Sequence, residues 1–203
     1  MADLTDALAR LTALGRALGG AVRLDTIANH AADALVGLFA PDAVSVMLEM
    51  EPQARFTLAA SRGTPHEALG SAFCAACQRS QEIVRGADPP RLGAPLIGAG
   101  HTMGLLMLEG APGTSWDAGD EQVLAAVTAQ VTIALQNVRL LTLLSTGKRE
   151  WEQMVDAIGA AVCIVDDHGT VHRANRTFAS LVGTPVTALA GQSWQILLPP
   201  GWW

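Results

Sequence analysis

The 203-residue sequence contains little positive charge and a single lysine, Lys148. Its formal net charge is −6, and its arginines are scattered along the chain. Because phosphate contacts need clustered lysine and arginine side chains, this composition argues against broad nucleic-acid binding. An acidic surface is more simply explained by solubility.

The sequence also lacks a secretory signal pattern and a long uninterrupted apolar segment. Met1 is followed by acidic, helix-forming sequence and not by a basic segment and an apolar run. Charged residues, glutamine or glycine interrupt every apolar run before it reaches the roughly 20 residues that span a bilayer. The three cysteines are an odd number, which favours a reducing compartment. We therefore expect a cytoplasmic chain with no membrane segment in this sequence.

Helical and strand periodicities alternate over the first hundred residues. They predict helices over 3–17 and from Asp25 or Thr26 to just before Pro41, then strands over 43–50 and 56–60. A helix is expected over 66–80 and a loop over 86–90. The segments 92–97 and 102–108 are typical of two central strands joined by a hairpin over 98–100. Gly104 would leave room for close approach of backbone or ligand.

A nearly unbroken helical pattern then runs from about Asp117 to Ile158. Its apolar residues lie three and four apart, which is typical of the seam of a parallel dimer or, alternatively, of a helix that packs on its own sheet. Both interpretations stay open for the first half, and a partner helix is favoured beyond Asn137. Gly147 should weaken the helix and mark a hinge. The seam residues are Leu124, Val127, Val131, Ala134, Val138 and Leu141.

A smaller unit is expected after the helix. Two short strands should flank a hairpin turn with Gly169 at its tip, because glycine readily adopts positive φ. A short helix should begin at Asn175-Arg176 and end at Gly183. Two further short helices follow, over 185–189 and 194–198.

The order of these elements carries a family resemblance. Two helices, two strands, a variable helical region and the segments 93–97 and 101–106 lead into the long helix, and together they resemble a GAF domain over about residues 5–145. The resemblance implies an α+β fold with an antiparallel sheet flanked by helices. The residues of the long helix region that match typical family positions are Trp116, Asp120, Leu124, Gln130, Ala134, Leu135, Asn137 and Leu140.

Residues beyond the long helix resemble the N-terminal half of a PAS domain. The resemblance rests on Asp156, Ala157, Ile158, Val165, Asp166, Gly169, Asn175, Leu181, Gly183 and Gly191. PAS domains normally continue with three more strands, so this unit is expected to be truncated. We expect a GAF-like domain over 1–145 and a partial PAS-like domain over 146–203. This order is similar to the input region of bacterial signalling proteins, most commonly sensor histidine kinases.

The sequence contains no segment typical of a phosphoacceptor histidine and no glycine-rich ATP site. We therefore expect a non-catalytic sensory and dimerisation region that forms a homodimer through the long helix. The alternative is a purely structural dimerisation GAF domain in a cyclase or a transcription regulator. The motifs that cyclic-nucleotide, bilin and flavin sensors of these families use are missing, so the cofactor stays unknown.

Cys74-Ala75-Ala76-Cys77 places two thiols on one face of a helix. A redox pair could use this spacing, whereas a metal site needs about four ligands and the sequence holds no second pair. Burial in the core is favoured, because Leu69, Phe73 and Cys77 share one helical stripe. A cysteine-dependent reductase with the GAF fold is a further, weaker alternative, since Cys163 belongs to the other unit.

The GAF resemblance implies a small-ligand pocket between the sheet and the variable helix, and the alternative is a filled core. His101 stands at the central hairpin, where it could ligate haem but more simply is an exposed turn residue. The candidate pocket residues are Met47, Phe56, Leu58, Phe73, Cys77, Ile83, Met103, Leu105 and Met107.

Overall fold

The computed structural model describes residues 4–50, 55–64, 72–198 and 201. The chain divides into two compact units, residues 1–140 and 141–203. The elements of the first unit and the long helix are α1 (Leu4–Gly19), α2 (Leu24–Phe39), β1 (Ala43–Glu49), β2 (Phe56–Gly63), α3 (Ala72–Ser80), β3 (Val84–Ala87), β4 (Pro90–Gly98), β5 (His101–Glu109) and α4 (Ala118–Ala157). The second unit adds β6 (Cys163–Val165), β7 (Val171–Ala174), α5 (Arg176–Val182), α6 (Val186–Leu189) and α7 (Trp194–Leu197).

The first unit is built on a five-stranded antiparallel sheet with the order β2-β1-β5-β4-β3. The central strand β5 pairs with β1 on one side and β4 on the other. A Cβ added at Gly104 would lie 2.5 Å from the backbone oxygen of Met47, so this glycine permits close approach of backbone, as the sequence predicts. The α+β fold with a helix-flanked antiparallel sheet is confirmed.

The sheet buries both of its faces. One face packs against α1, α2 and the first half of α4, around residues such as Ile27, Leu106 and Leu124. The other face carries a smaller cluster beneath α3, which we call the α3-side cluster and which contains Met47 and Cys77. Burial on both faces explains why β1 and β5 are apolar without strict alternation.

The predicted central hairpin is confirmed, with Ala99 at φ 52° and Gly100 at φ 81° in its turn. The predicted loop over 86–90 is wrong in part, because β3 extends to Ala87 and pairs with β4. A four-residue edge strand is too short to show periodicity. The predicted helix over 66–80 is described from Ala72 onward, and the earlier part, with Leu69, lies outside the described residues.

Helix α4 is continuous for 40 residues, and the predicted hinge at Gly147 is wrong because the α-helix runs through it. For the first part of the helix, the structure favours the second of the two interpretations, packing on its own sheet. The candidate seam residues Leu124, Val127, Val131, Ala134 and Val138 are buried in the core of the first unit. Leu141, the last seam residue, is 57% exposed. The packing of the helix on its own sheet accounts for the apolar spacing up to Val138.

Within the second unit, β6 and β7 form the expected hairpin, and Asn175 caps α5 as predicted. The Asn175 side chain accepts hydrogen bonds from the backbone N–H groups of Phe178 and Val162. Its amide donates to the backbone carbonyls of Val155 and Ala160. This buried asparagine therefore satisfies four backbone groups from three segments.

Among the described residues, one helix is long and apolar enough to span a membrane by length and composition alone. It is α4, whose first half is a core helix of the first unit. Core helices of soluble proteins commonly pass the same test, so this composition is weak evidence for a membrane segment.

Candidate functional site

The α3-side cluster lies between the sheet and helix α3. Strands β1 and β5 contribute Met47, Leu105 and Met107, and α3 contributes Cys74 and Cys77. The aromatic rings of Phe56 and Phe73 and the side chain of Val84 pack against it. The cluster is therefore lined by sulfur-containing, aliphatic and aromatic side chains, and it occupies the position expected for a ligand pocket.

Its two thiols are shielded from solvent. The Cys74 thiol lies 3.4 Å from the Met107 sulfur, and Cys77 is 0% exposed. A Cβ at Gly93 would overlap with the Cys77 sulfur, so this glycine makes room for the thiol. Burial, together with the charge of neighbouring Cys74, raises the pKa of Cys77 from 9.0 to about 11. A thiol with this pKa is a poor nucleophile at neutral pH.

The structure brings together six of the nine predicted pocket residues: Met47, Phe56, Phe73, Cys77, Leu105 and Met107. The other three predicted pocket residues lie outside the cluster. Met103 and Ile83 pack with the core on the opposite face of the sheet. For Met103, the register shift after Leu96 displaces the start of β5. Leu58 is 45% exposed and belongs to the outer strand β2. Cys74 and Val84 belong to the cluster and were not among the pocket candidates.

A second feature joins the sheet to helix α4. The Nη2 of Arg139 donates to the backbone oxygen of Glu49 at 2.7 Å and to its carboxylate Oε2 at 3.0 Å. The Glu49 side chain is only 4% exposed. The Nε2 of His101 lies 3.2 Å from the same Oε2 and 3.4 Å from Nη1 of Arg139. We call these three residues the Glu49 clasp.

The Glu49 clasp gives His101 a role that the sequence does not reveal. His101 is partly exposed, as expected for a turn residue, but it faces a buried carboxylate. Sequence reasoning missed Glu49 and Arg139, which are 90 residues apart. One signal was available: Glu49 is the charged residue at the end of a strand that is predicted to be mostly apolar, and buried carboxylates need partners.

The clasp lies where helix α4 leaves the first unit, since the boundary between the two units follows Leu140. It joins β1 and β5 to the helix through one cation. Met47 of the α3-side cluster is two residues before Glu49 on β1. Strand β1 therefore contributes Met47 to the candidate pocket and Glu49 to the contact with helix α4. In the described part of the chain, no group of three or more histidine, cysteine, aspartate or glutamate residues is placed to hold a metal ion.

The GAF domain family profile matches residues 23–135, and a PAS fold profile matches residues 155–201. No curated protein sequence matches the chain. Together with sensor proteins among the structural neighbours, the two matches support a sensory or signalling input module.

Several solved structures share the fold of the first unit. The GAF domain of an Acinetobacter phosphoenolpyruvate-protein phosphotransferase is 20% identical and aligns with a TM-score of 0.57, over 70% of this chain and 99% of that domain. The free methionine-R-sulfoxide reductase of Neisseria meningitidis is 17% identical, with a TM-score of 0.57 over 64% of this chain and 89% of that one. The GAF domain of the Escherichia coli potassium sensor histidine kinase KdpD is 18% identical, with a TM-score of 0.53 over 66% and 96%. Because the GAF profile spans more than half of the residues, the chain belongs to the GAF domain family.

Proposed function

We propose that the chain is the cytoplasmic sensory input region of a bacterial sensor histidine kinase. A small ligand at the α3-side cluster would change how strand β1 holds helix α4, and the helix would pass that change onward. The observation that carries this proposal is the Glu49 clasp, because it fixes α4 to the strand that also lines the cluster. A relay needs a structural element with two arrangements, and both the ligand site and the helix contact must affect which arrangement is favoured.

We also propose that two copies associate through an exposed face of α4 that begins at Ile133 and continues through the second half of the helix. Ile133, Leu140 and Leu144 are all more than half exposed. Together with Trp151 and Met154 they follow one another at intervals of seven, four, seven and three residues, which is a heptad pattern. Its positions 133 and 140 each lie one residue before positions 134 and 141 of the seam that the sequence predicts. A second copy fits it best, because identical parallel helices present the same residues at the same height.

The non-enzymatic role is part of the proposal. The Neisseria reductase shares the fold, but in this chain Cys74 and Cys77 are buried and burial raises the pKa of Cys77. Both features disfavour thiolate attack on a sulfoxide. Thiol-dependent reduction of free methionine sulfoxide that is abolished by Cys74→Ser and Cys77→Ser would support the reductase and contradict a purely sensory role.

The relay is tested by a double-mutant cycle on the full chain. Met47→Ala opens space in the α3-side cluster, and Arg139→Met releases the clasp. Hydrogen exchange of the α4 amides beyond Leu140 is measured in wild type, both single variants and the double variant. We expect the two effects to be non-additive by about 0.5–3 kcal/mol, the range for residues in one network. If the effects of Met47→Ala and Arg139→Met on exchange were additive, the relay would be contradicted. The same holds if Met47→Ala were equally non-additive with the control Arg149→Met.

The dimer is tested by sedimentation. Wild type should sediment as a dimer, and Leu140→Asp with Leu144→Asp should sediment as a folded monomer, because two buried carboxylates per helix disfavour the seam. Leu58→Asp is the matched control, since this exposed leucine lies on β2, away from the helix. A wild-type monomer at high concentration, or a control that dissociates equally, would exclude this interface.

A further inference from the structure

Three sulfur atoms meet at the α3-side cluster. Cys74 and Cys77 lie one turn apart on α3, and both are buried. The Cys74 sulfur is 3.4 Å from the Met107 sulfur on β5. Cys77 lies over Gly93, the residue that pairs directly with Met107 in the sheet. Two thiols from a helix and one thioether from a strand therefore converge on one place.

We propose that this cluster binds a soft monovalent metal ion, Cu(I) or its analogue Ag(I), through the sulfur atoms of Cys74, Cys77 and Met107. Soft thiolate and thioether ligands select Cu(I) among the biological metals. Each thiol that binds releases one proton to solvent, and no electron is transferred. The binding stands on the sulfur geometry alone, whereas a role for the ion as the signal rests on the proposed function.

The distances suit such an ion. Two sulfurs that bind one ion at about 2.3 Å stand about 4 Å apart in trigonal geometry. The observed 3.4 Å between Cys74 and Met107 is about half an ångström shorter. Methionine has three rotatable side-chain bonds and adapts to such a change with little strain. Burial of the ligands would also keep water away from the ion.

A buried cation lies on the same face of the sheet as the sulfur site. Two thiolates and one monovalent ion carry a net charge of −1, which is costly to bury without a partner. Arg91 lies two residues before Gly93 on β4, hence on the same face, and it is 8% exposed. Its guanidinium carbon is 5.7 Å from the centre of the Phe73 ring, and that ring packs against the cluster. A buried guanidinium thus lies on the same face of the sheet as the sulfur site, directly opposite the buried carboxylate of Glu109 on β5.

Harder ions fit less well. Zn²⁺ takes four nitrogen, oxygen or sulfur ligands, and thioethers are poor ligands for it. In the described residues, no third cysteine, histidine or carboxylate joins Cys74 and Cys77 in a group that could hold a metal. A site of two thiolates and one thioether is complete for a soft ion of low coordination number, and it is incomplete for Zn²⁺.

The experiment is an anaerobic titration of the reduced full chain with Cu(I), and separately with Ag(I), in competition with a chromophoric Cu(I) chelator. We expect one ion per chain by native mass spectrometry and a sulfur-to-metal absorption in the ultraviolet. Cys74→Ala and Cys77→Ala should each weaken binding by about 100-fold or more, at least the effect of removing an outer partner. Met107→Leu conserves volume and should weaken binding about tenfold.

The chain offers matched controls for both ligand types. Cys163→Ser removes the thiol of the second unit, and Met103→Leu changes a methionine buried on the opposite face of the sheet. Neither should change the affinity. The proposal would be overturned if Cys163→Ser weakened Cu(I) binding, if Zn²⁺ bound as tightly as Cu(I), or if no stoichiometric complex formed. Met107→Leu keeps the test decisive even where a cysteine variant fails to fold.

The signalling role is read separately. Hydrogen exchange of the α4 amides beyond Leu140 is compared with and without one equivalent of Ag(I). If Ag(I) changes the exchange rate in wild type and leaves it unchanged in Arg139→Met, the result would support the ion as the trigger of the relay. Stoichiometric binding with unchanged exchange would leave the metal site standing and would contradict the proposed relay through the Glu49 clasp.

Discussion

Replacement of Arg139 by methionine should destabilise the first unit through the Glu49 clasp. Methionine keeps the apolar stem of the side chain and removes the guanidinium group. The change deletes two hydrogen bonds, at 2.7 and 3.0 Å, from Nη2 to Glu49. It also leaves the Glu49 carboxylate, 4% exposed, with His101 as the remaining clasp partner at 3.2 Å.

The size of the effect follows from the burial of the two partners. Removal of one member of a buried ion pair costs about 3–5 kcal/mol, because the other charge stays buried. Arg139 is 21% exposed, so water can replace part of its contact, and the Nε2 of His101 stays within hydrogen-bond distance of the carboxylate. We therefore expect Arg139→Met to lower the free energy of unfolding of the first unit by about 3 kcal/mol.

Native-state hydrogen exchange of the β1 and β5 amides measures this free energy within the first unit alone. Arg149→Met is the matched control on the same helix, where every residue from 141 to 150 is exposed, and it should change stability by less than about 0.5 kcal/mol. Glu49→Gln should cost less than Arg139→Met, because the amide oxygen still accepts from the guanidinium and the charge left without its partner, on Arg139, is more exposed than the Glu49 carboxylate. A change below about 0.5 kcal/mol for Arg139→Met would refute the attachment of α4 by this contact.

Three further predictions concern the core, the second unit and the thiols. Leu124→Ala should cost about 2–5 kcal/mol in thermal or denaturant unfolding, whereas Leu141→Ala should change the stability of the monomer by less than about 0.5 kcal/mol; equal effects would contradict the placement of Leu124 in the core. Asn175→Asp should destabilise the second unit by about 3 kcal/mol, read as an earlier tryptophan-fluorescence transition, because it removes two donors and sets a carboxylate against two carbonyls. Because burial raises the pKa of Cys77 from 9.0 to about 11, its neutral form stabilises the fold up to pH 9, and that stability is lost as pH rises to 11. Over this pH window the free energy of unfolding of wild type should fall by about 1.4 kcal/mol per pH unit more than that of Cys77→Ala. If the free energies of unfolding of both proteins depended on pH in the same way, the raised pKa of Cys77 would be contradicted.

Local chemistry made much of the fold predictable. The hairpin before His101, the cap at Asn175 and the stop at Gly183 each depend on a few neighbouring residues, and each is confirmed. Gly147 shows the limit of this reasoning. Its cost of about 1 kcal/mol in a helix is small beside the helical preference of its neighbours, so the helix continues through it.

What sequence reasoning missed depends on tertiary contacts. Apolar residues three and four apart serve a dimer seam and a core face equally well, so the spacing around Leu124 could not decide between them. The register shift after Leu96 moves Met103 to the opposite core, and no local pattern announces it. The pairing of Glu49 with Arg139 joins residues that are 90 positions apart in the sequence, and it becomes visible only when the sheet and helix are placed together.

The position of Arg139 bears on how this domain can be excised. The family match ends at residue 135 and begins at residue 23. A fragment cut at those limits would lack helix α1, whose Leu14 and Leu18 are buried, and would lack Val138 and Arg139. Its core would be open on one side, and Glu49 would be a buried charge without its guanidinium partner. The smallest fragment that keeps its core covered and keeps Arg139 beside Glu49 runs from α1 to at least Leu140.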